Sequence, residues 1–183
     1  MAIYKRLLLI ASCAFFYYWC FYLNKFIFDE YEFSFGVNWI FIPSGLQLVM
    51  VLIAIEDAAI GIGLASLLIG LDNYQLESLT RTLVTAVISG GSPLLARKIC
   101  LDFLGIDEEL FKLTPKSILV MSIVFSVLSA TLHQIWFSYN GVTQQFAYSL
   151  FVMAIGDLFG TALVLTLIST ASKFIQKPPA PHL

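Results

Sequence analysis

Asp157 is the residue most able to do chemistry in this sequence. It lies in an apolar stretch, eleven positions from Phe146 and eleven from Ile168. At 1.5 Å of helix per residue that is about 16 Å from either end, the middle of a bilayer. A carboxylate there costs roughly 2.5–3.5 kcal/mol on the insertion scale, so it is expected to face other helices and to find a partner, a ligand or a proton. Gly156 and Gly160 flank it as a G-x-x-x-G ridge that admits a close neighbour, and Thr161 follows one turn on. The plainer alternative is a carboxylate that only bonds a neighbouring helix's backbone.

A second feature falls at a comparable depth. Ser89-Gly90-Gly91-Ser92-Pro93 interrupts another apolar stretch near its middle. Paired glycines and a proline predict a broken helix, and unwound backbone is tolerated in a membrane only where protein or a watery cavity satisfies it. A simple kink, with Ser89 and Ser92 bonding back to carbonyls, is the alternative. Gly90 and Gly91 therefore join Asp157 as candidate ligand-binding or proton-site residues, with Pro43, Ser44 and Gln47 extending the site towards one face. Arg97 and Arg81 are candidate charge partners, against plain roles as a cytoplasmic anchor and a headgroup contact. His133 completes a vestibule with Arg81. Gly61 and Ala65, like Gly156 and Gly160, are expected to serve tight helix packing.

The elements that must position these residues follow from composition. Of 183 residues, 59% are apolar and 12% are charged, and the mean hydropathy is +0.87. A water-soluble domain of this length could not cover its surface with so few charges, so lipid must be the solvent for much of it. The expected fold is all-α: a polytopic integral membrane helical bundle forming a single transmembrane domain over residues 1–176, with a flexible Pro-containing tail at 177–183. Six spans are expected, at about 7–23, 39–55, 58–71, 79–101, 117–137 and 146–168, the fourth of them broken. The third is only 14 residues long, which leaves open whether it crosses fully.

Charge sets the orientation. With six spans and both termini cytoplasmic, Lys5, Arg6, Arg97, Lys98, Lys112, Lys116, Lys173 and Lys177 lie inside, against Lys25 and Arg81 outside. Removing the third span would split the positive cluster between the two sides, so the third span is expected to cross. Ile10-Ala11-Ser12-Cys13 superficially matches a lipoprotein cleavage box, but the apolar run continues past it and is read as a retained span.

Several functions are excluded or disfavoured. A net charge of −2 with no basic stripe argues against nucleic acid. Three cysteines without a C-x-x-C, and no histidine cluster, argue against a disulfide framework and a metal site. Neither a second mid-membrane carboxylate for an aspartyl protease nor a serine turn paired with a deep histidine is present, so no catalytic residue, enzymatic activity or cofactor is expected.

Phe41-Ile42-Pro43-Ser44-Gly45-Leu46 opening a span, Ser92-Pro93-Leu94 in the fourth and Gly156-Asp157-Leu158-Phe159-Gly160 in the last resemble the MASE-type membrane-associated sensor domains, the integral membrane inputs of bacterial signalling proteins. The resemblance covers roughly residues 36–168. It implies a ligand- or state-sensing module in the bacterial cytoplasmic (inner) membrane that signals through a separate membrane or cytoplasmic protein, with homo-oligomers allowed. Six short spans also resemble the substrate-binding subunit of energy-coupling-factor vitamin transporters, the alternative function.

Overall fold

In the computed structural model the described residues are 3–72, 78–105 and 114–175. The chain forms α1 (Ile3–Phe28), a single turn of 3-10 helix (Asp29–Tyr31), a two-stranded antiparallel hairpin of β1 (Glu32–Ser34) and β2 (Val37–Asn38), then α2 (Ile42–Asp72), α3 (Leu79–Leu104), α4 (Pro115–Tyr139) and α5 (Phe146–Ile175). All five α-helices are long and apolar enough to cross a membrane. The tail 177–183 and the loop lysine Lys112 lie outside the described residues.

The distribution of polarity is that of a multi-pass membrane protein. Large apolar side chains such as Phe16, Ile53, Val87 and Phe174 are exposed, while Gln47, Ser89, Ser129, Gln134 and Asp157 are buried. Such a surface is unstable in water and suited to lipid.

The 31-residue α2 is not a single rod. At Ile55 the backbone takes φ 44°, ψ −116°, close to the first central residue of a type II′ turn. The contacts of its two ends with α1 show that the chain reverses there. Ile42 N–H donates a 2.8 Å hydrogen bond to Asn24 Oδ1, near the end of α1. Asp57 pairs with Arg6 at 2.7 Å, near the start of α1. Asp72 accepts bonds from Tyr18 and Tyr22, back towards the end of α1. Residues 42–54 and 56–72 are therefore antiparallel arms that meet at Ile55. Glu56 and Asp57 open the second arm, where carboxylates suit the helix dipole.

The expected break in the fourth span does not occur. α3 is helical from Leu79 to Leu104 through Gly90, Gly91 and Pro93. Gly90 is required for packing: a Cβ there would strike the Ala59 carbonyl on the second arm of α2. Pro93 lacks the N–H that would bond the Ser89 carbonyl four residues back, and Gln47 Nε2 donates to that carbonyl instead, at 3.2 Å. Supplied from a neighbouring helix, this donor lets the proline stay inside a continuous helix.

Small residues set the remaining distances. Gly61 faces the Ile10 carbonyl and Cys13 of α1, and Ala65 is buried with Cys13 and Tyr17. Gly156 and Gly160 receive the extended segment that leads into α2, and Gly160 also meets the first turn of α2, where a Cβ at Gly45 would strike the Gly160 carbonyl. A Cβ at Gly156 or Gly160 would collide with the carbonyl of Asn38 or Phe41, and Phe41 N–H donates to the Gly156 carbonyl at 3.1 Å. That segment thereby runs down the inner side of α5, with Val37 buried against Ala130, Val152 and Met153.

Candidate ligand-binding cavity

The helices enclose a cavity of about 160 Å³. Its mouth lies at the β-hairpin end, among Lys25, Asp29, Glu32 and Phe35, and its deep part reaches Gln47, Ser89, His133 and Asp157. Every α-helix contributes lining, α2 from both arms.

Two features of α5 place Asp157. Its own carbonyl accepts bonds from Ser44 Oγ at 2.7 Å and Thr161 Oγ1 at 2.8 Å, which holds this turn of α5 against the start of α2. Asp157 lines the cavity and is 2% exposed as a residue. Oδ2 is buried and has no hydrogen-bond partner among the described residues. The Ser129 hydroxyl faces the carboxyl and the Tyr17 phenol lies within electrostatic range of it.

A chain of polar groups crosses the floor beside it. His133 Nδ1 lies 2.9 Å from the Ser129 carbonyl; because a carbonyl only accepts, Nδ1 carries the proton. In the neutral ring, Nε2 then accepts from the Ser89 hydroxyl at 3.3 Å, and Ser89 Oγ accepts from Ser66 at 3.1 Å. Gln47 Nε2 adds a 3.2 Å bond to the Tyr17 hydroxyl. Apart from Asp157, these deep groups satisfy one another.

The sequence-predicted residues fall into three places. Asp157 and Gln47 line the cavity together, and His133 lies deeper in it than a vestibule residue would. Pro43 and Ser44 are buried, Ser44 in the α2–α5 contact, and neither lines the cavity. Gly91 and Arg97 line a separate depression with Ile55, Glu56, Lys98 and Asp102 at the opposite end of the bundle, and Gly90 is consumed in the α2–α3 contact. Arg97 is thus placed with the acidic groups near the Ile55 turn. Arg81 sits near the mouth, its guanidinium 5.6 Å from the centre of the Phe35 ring.

Sequence reasoning missed Tyr17, Ser66, Ser129 and the mouth residues of 29–41. The signal for Ser129 was present: Ser122, Ser126, Ser129 and His133 recur at helical spacing on α4, and all are buried. Among the described residues no group of three or more His, Cys, Asp or Glu side chains is placed to hold a metal. Compared with protein-family models, curated proteins and solved structures, the chain matches none.

Proposed function

We propose that this chain is a membrane-embedded small-molecule-binding module of sensory type, resembling the MASE domains. In this reading the chain crosses the bacterial inner membrane six times, the two arms of α2 each counting once. Both termini are cytoplasmic, the ligand enters from the outer face, and occupancy is reported to a separate protein.

One observation carries the reading: a deeply buried carboxyl, one oxygen of which has no hydrogen-bond partner among the described residues, at the floor of a cavity lined by all five α-helices. Leaving such a group unsatisfied costs about 1–3 kcal/mol or more, and a donor bound at Oδ2 would remove that cost. The wiring for a report lies one residue away. Gly156 and the Asp157 carbonyl anchor α5 to the segment entering α2, so an occupant that pulls on the Asp157 side chain acts on that seam, and α5 continues to the cytoplasmic end. A signal results to the extent that the occupant binds two arrangements of the seam with different affinity. The single mouth at one face also suits the alternative, a substrate-binding subunit of a vitamin-type transporter.

The test is solvent access. In a variant lacking Cys13, Cys20 and Cys100, Ser66→Cys places a thiol on the cavity wall and Val87→Cys places one on the lipid-facing surface. A membrane-impermeant thiol reagent added outside is expected to label position 66 and to spare position 87. Labelling of 66 only from the cytoplasmic side, or from neither side, would overturn the reading.

A further inference from the structure

We infer that the cavity selects a small organic cation: a primary or secondary ammonium group on a compact apolar body. This rests on the cavity being a ligand site and names the class of ligand it takes.

The charge balance of the lining points to a cation. Among the described residues Asp157 is the lining carboxyl at depth, while Lys25 is exposed at the mouth with Asp29 and Glu32, and Arg81 lies there over Phe35. Lys25 stands eight residues along α1 from Tyr17, about 12 Å, so its amine is not a neighbour of the floor. Among the described residues the mouth then holds Lys25 and Arg81 against Asp29 and Glu32, and the deep end holds the Asp157 carboxyl with no cation beside it. A cation would be drawn past Asp29 and Glu32 and would end against Asp157, whose Oδ2 lacks a donor among the described residues. The other charge-bearing candidate at that depth, His133, has its Nδ1 proton committed to the Ser129 carbonyl and its Nε2 opposite Ser89.

The walls suit the same ligand. Tyr17, Phe21, Phe35, Phe41 and Phe137 line the cavity, and aromatic faces attract ammonium groups as well as covering an apolar body. Size limits the body. The 160 Å³ space is close to that of an engineered cavity of about 150 Å³ that binds benzene, so one ring or a short branched chain fits beside the ammonium and a drug-sized molecule does not.

The experiment uses the full chain in nanodiscs of zwitterionic lipid, so that no anionic headgroup competes, titrated at pH 7 with three probes of one shape: 2-phenylethylamine, 2-phenylethanol and phenylacetate. The amine is expected to bind at least tenfold more tightly than the alcohol, and phenylacetate not measurably. Asp157→Asn is expected to erase the preference for the amine over the alcohol. Phe21→Leu, which keeps the carboxylate, is expected to weaken amine binding about threefold more than alcohol binding. Alcohol and amine binding equally, or the amine preference surviving Asp157→Asn, would overturn the proposal while leaving a cavity that binds ligands. If none of the probes binds although Ser66→Cys is labelled from outside, the cation proposal fails and the accessible cavity stands.

Discussion

Gln47 Nε2 donates to the Ser89 carbonyl, the acceptor that Pro93 leaves without a helical donor. A residue on the first arm of α2 thus repairs α3 at the floor of the cavity. Gln47→Leu strands that carbonyl away from water and is expected to destabilise the protein by about 1–3 kcal/mol. Pro93→Ala restores an N–H at position 93 and should remove most of that cost. Unfolding of the four proteins of this cycle in detergent measures the coupling; an equal cost of Gln47→Leu in both backgrounds would refute the repair.

The G-x-x-x-G ridge makes a second, sharper prediction. At Gly156 and Gly160 a methyl group meets backbone carbonyls of Asn38 and Phe41, which cannot rotate aside, whereas at Gly91 nothing lies within 4 Å. Gly160→Ala and Gly156→Ala are therefore expected to lose folded protein, each by more than about 2 kcal/mol, within the range that overpacking costs. Gly91→Ala should be neutral or stabilising by up to about 1 kcal/mol, because alanine is the better helix former. Fluorescence-detected size exclusion after graded heating ranks the three. A Gly91→Ala protein as unstable as Gly160→Ala would show that packing at the ridge is not the cause.

How far the sequence reveals this arrangement differs between elements. The apolar runs were legible because lipid demands length and uniformity, and Asp157 was legible because its cost in lipid is high. The break was not. Gly90-Gly91 and Pro93 carry strong turn chemistry, yet a contact with Ala59 and a donor from Gln47 keep them helical. Ile55 is not a turn-type residue, yet it holds the positive φ, and Glu56-Asp57, between the expected spans 39–55 and 58–71, marks that reversal in the sequence. The continuity of α3 is set by residues more than 30 positions away, which no local pattern encodes. The cavity was half legible for the same reason: Ser129 and His133 follow a helical stripe, while Tyr17 is one aromatic among many on α1 and the 29–41 segment lacks any span-like run.

Ile55 holds a conformation that β-branched side chains rarely adopt, and such a position costs of order 1–3 kcal/mol. Ile55→Gly relieves it and is expected to raise stability by about 1 kcal/mol in spite of the lost side chain. Ile55→Pro, which fixes φ near −65°, should prevent the reversal and abolish folding. Thermal midpoints of wild type and Ile55→Gly are the measurement. A lowered midpoint for Ile55→Gly would mean that the side chain contributes more than the turn costs.

The membrane orientation follows from where the fold gathers its cations. Arg6 pairs with Asp57, Arg97 and Lys98 lie beside Ile55 and Glu56, and Cys100 and Leu101 pack with Met121, five residues beyond Lys116. Lys173 is at the end of α5 away from Tyr148, which touches Phe33 of the β-hairpin. Lys25 and Arg81 sit at that opposite end, beside the cavity mouth. Cations are retained on the cytoplasmic side, so the Ile55 turn is expected to face the cytoplasm and the mouth to face out. In a background without the native cysteines, Asn140→Cys, at the mouth end of α4, is expected to react with an impermeant thiol reagent in intact cells, and Lys116→Cys only after lysis. The reverse pattern would put the mouth in the cytoplasm, and any ligand of the Asp157 cavity would then have to be an intracellular one.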